Sequence, residues 1–245
     1  TLTTRHKNIW EVPLCLANLP ADTDFAVVKI GARHPKDIRQ LSRLVQPHAA
    51  IVTRVASEHL AAFGDITDIA QEKADLFQGL GSDGIGIFRG DDRHAAQMRS
   101  AGKHARAISF GEINSDWVLR SVKLGQDVTV VMANGLGQDY LFKLGLPGRH
   151  FAMNAIGALA AVTALGADTV TATLDLAQWQ PSAGRGTREC IVLDPANDGE
   201  TLELLDDAFN ANPTSVETSL EMILAAQPRD NVGRIVKGRR VVILG

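Results

Sequence analysis

Leu205-Asp-Asp-Ala-Phe-Asn-Ala-Asn-Pro-Thr-Ser215 carries an apolar, strand-like run through two acids and two asparagines into a helix that starts at a proline. Asn212 suits the N-cap and Pro213 the first helical position, with Val216, Leu220, Ile223 and Leu224 following as an apolar stripe. Two adjacent acids, Asp206 and Asp207, stand at the C-terminal end of the strand, where open α/β sheets bind ligands. An α/β fold follows if the chain upstream alternates in the same way.

It does. Strand-like runs recur at Phe25 to Ile30, Ala49 to Val55 and Ile85 to Phe88, with helix-period segments at Pro35 to Val45 and Ile66 to Leu80. This order predicts a mostly parallel sheet flanked by helices. From Trp117 to Leu146 the pattern shortens to alternating runs divided by glycine turns, which predicts an antiparallel β insertion. Pro147-Gly-Arg-His150 then opens an Ala-rich helix to Leu165. The stretch Gln180-Pro-Ser-Ala-Gly-Arg-Gly-Thr-Arg188 has linker composition. It divides the chain into residues 1–188 and 189–245. The second part holds strands at Cys190 to Asp194, Leu202 to Leu205 and Arg240 to Leu244, with the Pro213 to Ala226 helix, and is expected to be the start of a Rossmann-like α/β domain that is not completed within these residues.

Two further residues stand out before any relative is considered. At 100° per residue, Ile66, Ile69, Leu76, Phe77 and Leu80 form one stripe with Lys73 near its centre. There a lysine either snorkels its ammonium to water or needs a partner or a modification. His59 follows the Ala49 to Val55 strand directly, the favoured place for a site residue in this architecture, although a lone histidine is more often structural or on the surface.

Several of these segments resemble the Mur ligases. The 205–215 stretch is similar to the opening of the family's C-terminal domain, most of all in the branch that adds D-alanyl-D-alanine to UDP-N-acetylmuramoyl-tripeptide. Gln71-Glu-Lys-Ala-Asp-Leu-Phe77 resembles the segment whose lysine is carbamylated, and Thr53-Arg-Val-Ala-Ser-Glu-His-Leu60 the motif whose histidine binds metal. Leu146-Pro-Gly-Arg-His-Phe-Ala-Met-Asn154 resembles Pro-Gly-x-His-Asn-x-x-Asn, whose last asparagine contacts adenine. The resemblance implies ATP and magnesium as cofactors. It gives His59 and a carbamylated Lys73 to the metal, His150 and Asn154 to the nucleotide, and Lys73, Asp206, Asn210 and Asn212 to catalysis at the closed domain interface. It also implies a cytoplasmic enzyme of peptidoglycan synthesis that joins carboxylate to amine through an acyl phosphate.

Departures from the pattern point the other way. Lys29 stands where the family has a metal-binding Glu, and an ammonium cannot ligate a metal. Arg33, Arg54 and Arg89 replace asparagines, Phe151 replaces another, and Glu11 replaces a glycine that a positive φ would require. Gly79-Leu-Gly-Ser-Asp-Gly-Ile-Gly86 lacks the Lys-Ser/Thr end of a P-loop and reads as a turn before a strand. The 245 residues alone are therefore expected to be inactive, and a degenerate, non-catalytic binding module is the alternative expectation.

The remaining composition is restrictive. A net charge of −3 with 22% charged residues argues against nucleic acid as a partner, and no apolar run is long enough to insert in a membrane. Cys15 and Cys190 fit no metal spacing and read as two free thiols of a reducing compartment.

Overall fold

The structure, a computed structural model, describes residues 10–56, 60–125, 127–196, 200–209, 211, 213–226, 228, 230 and 237–244. Helices α1 (Glu11–Ala17) and α2 (Asp37–Val45) precede strand β1 (Ala49–Val52). The short α3 (Leu60–Phe63) leads to α4 (Ile66–Ala74), which tightens into a 3-10 turn over Asp75–Gly79. Then come β2 (Ile85–Arg89), α5 (Ala95–Ala101), β3 (Arg106–Gly111), β4 (Trp117–Leu124), β5 (Thr129–Gly135) and β6 (Gln138–Leu144). After α6 (Arg149–Ala164) and α7 (Thr169–Leu176), the chain forms β7 (Thr187–Val192), β8 (Thr201–Asp206) and α8 (Pro213–Ala225). Asp65 caps α4 through the amides of Thr67 and Asp68, and Asp168 caps α7 through those of Val170 and Thr171.

Strands β1 to β6 make one sheet in sequence order. Strands β1 to β4 run parallel, and β4, β5 and β6 are antiparallel. The antiparallel region is thus a continuation of the parallel sheet, joined through Phe110 opposite Trp117 and Gly111 opposite Val118. Alternating side chains of β2 face opposite layers. Ile85 and Ile87 pack with Phe110, Trp117, Val131 and the α6 residues Ile156 and Leu159, whereas Phe88 packs with Val52, Ile69, Phe77 and Met98. Each such side chain, fully buried, contributes about 1.5–3 kcal/mol. Gly157 lets α6 approach the sheet, because a Cβ there would lie 2.9 Å from Phe110 Cζ. Strands β7 and β8 form a separate antiparallel pair followed by α8. On α8, Met222 is buried deepest, and Leu224 of the expected stripe is exposed.

Four expectations need correction. Residues 25–30 are extended but belong to no strand, and Phe25 and Val27 are 71% and 69% exposed. Residues 241–244 likewise form no strand. Apolar alternation prepares a segment for a sheet, but only a neighbour offering ladder hydrogen bonds makes it a strand, and neither run has one among the described residues. A cavity of about 300 Å³ lies instead between the first run and the end of α1, lined by Cys15, Pro20, Phe25 and Val28 among others. Third, Glu11 is not at a positive φ; it begins α1, where an acid favours the helix dipole. Fourth, Lys73 is not the charge in the core. Glu72 is, at 6% exposure, held by the amides of Lys36 and Ile38, whereas Lys73 is half-buried with its ammonium on the Arg54 carbonyl. Both cysteines are free thiols, Cys15 buried and Cys190 exposed.

Candidate functional site

The C-terminal ends of the parallel strands gather the first group of polar residues. Lys73, in the last turn of α4, donates from Nζ to the backbone carbonyl of Arg54 at 2.8 Å, tying α4 to the segment that leaves β1. Its neighbour Glu72 turns the other way and accepts the amides of Lys36 and Ile38 at the start of α2. His59, expected on this same segment, lies outside the described residues. The side chains of Lys29, Arg33 and Arg54 are exposed.

At the end of β2, Arg89 is committed to Asp91, its Nε 2.6 Å from the carboxylate. Burial pushes the Asp91 carboxyl up, but the Arg89 hydrogen bond and the donated Glu112 amide outweigh it and hold the group below the usual carboxylate value. Glu112 in turn reaches Arg149 at 3.1 Å. A chain of polar contacts therefore runs from β2 past the end of β3 to the first residue of α6.

Local geometry fixes the start of that helix. Thr129 Oγ1, at the start of β5, donates to the carbonyl of Leu146 and accepts the amide of Gly148, clamping the turn between β6 and α6. Gly148 has φ +153°, and a Cβ there would sit 2.6 Å from Phe151 Cδ2. His150 and Asn154, four residues apart, share one helix face; Asn154 is exposed, while Phe151, Met153 and Ala155 are buried. Burial pushes the His150 imidazole below its usual value, and the charge of Asp207 partly opposes this. The His150 ring lies 3.8 Å from the Phe151 ring between centroids, and its Nδ1 has no hydrogen-bond partner among the described residues.

Asp206 and Asp207, at and just after the end of β8, differ in role. Among the described residues the Asp206 carboxylate accepts the amide of Ala208, at 3.2 Å, and its backbone carbonyl accepts the Gly186 amide. The Asp207 carboxylate accepts the hydroxyl of Ser219, which holds β8 to α8. Asn210 and Asn212 lie outside the described residues. The structure thus brings His150 and the acidic end of β8 into electrostatic reach, while Lys73 is engaged at the β1 side of the sheet. Sequence reasoning missed Arg185, whose guanidinium lies 4.6 Å over the Phe209 ring. The flanking glycines of Gly184-Arg-Gly186 were the available signal.

Among the described residues no three His, Cys, Asp or Glu side chains gather into a metal-holding group. No described helix is long and apolar enough to cross a membrane.

Comparison with known proteins agrees with this layout. The family described as Mur ligase middle domain matches residues 2–162. The UDP-N-acetylmuramoyl-tripeptide–D-alanyl-D-alanine ligase of Escherichia coli (strain K12) is 31% identical over 239 residues, covering 96% of this chain and 48% of the relative. Its counterpart in Bacillus subtilis (strain 168) is 28% identical, with 86% and 44% covered. A crystal structure of MurF from Acinetobacter baumannii superposes with a TM-score of 0.81 at 28% identity, covering 89% of this chain and 46% of that one. The chain therefore spans about half the length of the relatives it matches. With the family match extending over most of the six-stranded sheet and its covering helices, this chain belongs to the Mur ligase family.

Proposed function

We propose that residues 1–188 are the central domain, and 189–245 the beginning of the C-terminal domain, of an ATP-dependent ligase adding D-alanyl-D-alanine to UDP-N-acetylmuramoyl-tripeptide. The observation that carries this reading is the contact between the α6 N-terminal turn and the segment bonded to the end of β8: a Cβ on Gly186 would lie 3.3 Å from Phe151 Cζ, and Gly186 donates to the Asp206 carbonyl, so His150 and Asp206 stand at one junction. The names of the relatives in Escherichia coli and Bacillus subtilis support the substrate assignment.

In the proposed reaction the tripeptide carboxylate takes the γ-phosphoryl group of ATP, releasing ADP. The dipeptide amine then attacks the acyl carbon; the C–N bond forms, the C–O bond to phosphate breaks, phosphate leaves, and the amine loses a proton. Such chemistry rests on positioning and charge stabilisation rather than on a protein nucleophile. Asn154 is exposed and offers both a donor and an acceptor, which fits the edge of adenine. His150 lines the same face, and Asp206, Asn210 and Asn212 are assigned to the incoming substrates by resemblance. Lys73 and His59 are assigned to the metal site by resemblance. The described residues do not themselves fit a magnesium ion, since Lys73 as an ammonium is a donor engaged with a carbonyl, and no step is assigned to the metal.

That same Lys73 contact favours a second reading, a homologue that binds nucleotide or partner without catalysis. Incubating the protein that carries this chain with ATP, magnesium, UDP-N-acetylmuramoyl-tripeptide and D-alanyl-D-alanine separates the two. Pentapeptide product by mass spectrometry, dependent on the dipeptide and lost in Lys73→Ala, supports the ligase. Calorimetric binding of a non-hydrolysable ATP analogue without product supports the binding module, and neither product nor binding overturns the nucleotide site.

A further inference from the structure

The segment Gly184-Arg-Gly186 is held between two phenylalanines. A Cβ on Gly184 would lie 2.8 Å from Phe209 Cβ, and one on Gly186 would lie 3.3 Å from Phe151 Cζ. Both glycines are buried, at φ +73° and +82°. Every backbone bond joining this segment to a strand end leads to the β8 side: Gly186 donates to the carbonyl of Asp206, and Phe209 donates to that of Gly184. The stacking of Arg185 on Phe209 adds to the same side. The segment is thus bonded to the β7–β8–α8 unit, whose first strand starts at Thr187, so the junction lies a few residues ahead of the 188/189 boundary read from linker composition.

Phe151 belongs to the other body. It is 9% exposed in the first turn of α6, and its ring meets Trp179 edge-to-face at 5.5 Å between centroids. Trp179 follows α7, its amide donating to the carbonyl of Leu176. The two rings form an apolar seat, and Gly186 rests on it without a side chain. A 3.9 Å ion pair between Arg188 and the exposed Asp127 is a weak additional tie.

We propose that Phe151, backed by Trp179, is the pivot of this junction. It is a positioning residue that acts through Gly186 to set the angle between the two bodies, and with it the separation of Asp206 from the His150–Asn154 face. The consequence for catalysis rests on the ligase reading above; the geometry of the pivot does not.

The test is pulsed electron–electron distance measurement without nucleotide or substrate, so that failure of the ligase reading leaves its outcome unaffected. Spin labels at Asp139→Cys and Glu217→Cys, with Cys190→Ser and the buried Cys15 left in place, report one body against the other. The parent should give a narrow distribution. Phe151→Ala and Trp179→Ala should broaden and shift it, and Phe151→Leu, which retains apolar contact, should keep it narrow. An unchanged distribution in the two alanine variants overturns the pivot, as does equal broadening in Phe151→Leu. If Phe151→Ala fails to fold, Trp179→Ala, whose ring is partly exposed, decides by the same criterion.

Discussion

Glu72 reaches back 34 residues to accept the amide of Ile38 at 2.8 Å, and its second oxygen accepts the amide of Lys36 at 2.6 Å. A buried acid on α4 thereby satisfies the first-turn donors of α2, which has no side-chain cap of its own. Removing the carboxylate leaves those donors without their acceptors in a site closed to water. Glu72→Ala should cost about 2–3 kcal/mol in denaturant unfolding, and Glu72→Gln, which keeps one acceptor, distinctly less.

Lys73 should behave in the opposite way. Its hydrogen bond to Arg54 lies at an exposed position, so Lys73→Met should cost about 1 kcal/mol or less of stability. Under the ligase reading the same change should abolish product formation while leaving the melting curve nearly intact. A large loss of stability together with normal turnover would exchange the roles assigned to residues 72 and 73.

His150 carries a pH dependence of definite sign. Its imidazole is harder to protonate in the folded chain than in the unfolded one, because burial outweighs the pull of Asp207. In the window from the ordinary value of about 6.5 down to the lower folded value, the unfolded state binds more protons. Stability from this group is therefore complete above that window and falls as pH falls through it. The His150 Cε1 proton resonance should titrate below the ordinary midpoint. Asp207→Asn should move the midpoint further down, since it removes the opposing charge.

Asn154 is exposed and should matter little to folding. If it meets adenine, Asn154→Ala should weaken binding of a non-hydrolysable ATP analogue about tenfold by calorimetry, the equivalent of one hydrogen bond of ~1.4 kcal/mol. Affinity equal to that of the parent would remove Asn154 from the nucleotide site.

Gly79 tests the packing of the 3-10 turn on α2. An added Cβ would fall 2.2 Å from the backbone carbonyl oxygen of Ser42, whose own hydroxyl donates to Leu76. Neither partner can move without disturbing the α2 interface, so Gly79→Ala should destabilise by about 1–3 kcal/mol in thermal or denaturant melts.

Read from the chain alone, much of this molecule is local information. Helix and strand periods over 35–45, 66–74, 85–89, 117–144 and 149–164 were legible because each depends on residues a few positions apart. So were the Pro213 helix start and the family motifs at 53–60, 71–77, 146–154 and 205–215, where spacing along the chain carries the meaning.

What the tertiary structure decided are matters of partnership. The alternation at 25–30 matches that of the true strands, yet among the described residues no neighbouring edge pairs with them. Glu72 and Lys73 are adjacent and were told apart only by their partners, the amides of α2 more than 30 residues away for Glu72 and the Arg54 carbonyl for Lys73. The β insertion could not announce that it continues the main sheet, and His150 and Asp207, 57 positions apart, could not announce that the charge of one acts on the other. Periodicity and spacing act along the backbone, whereas burial, ladder bonding and charge coupling act through space. For this protein the sequence determined the elements with clear local periodicity and the family motifs, and packing decided which runs pair into strands and which charges serve the core.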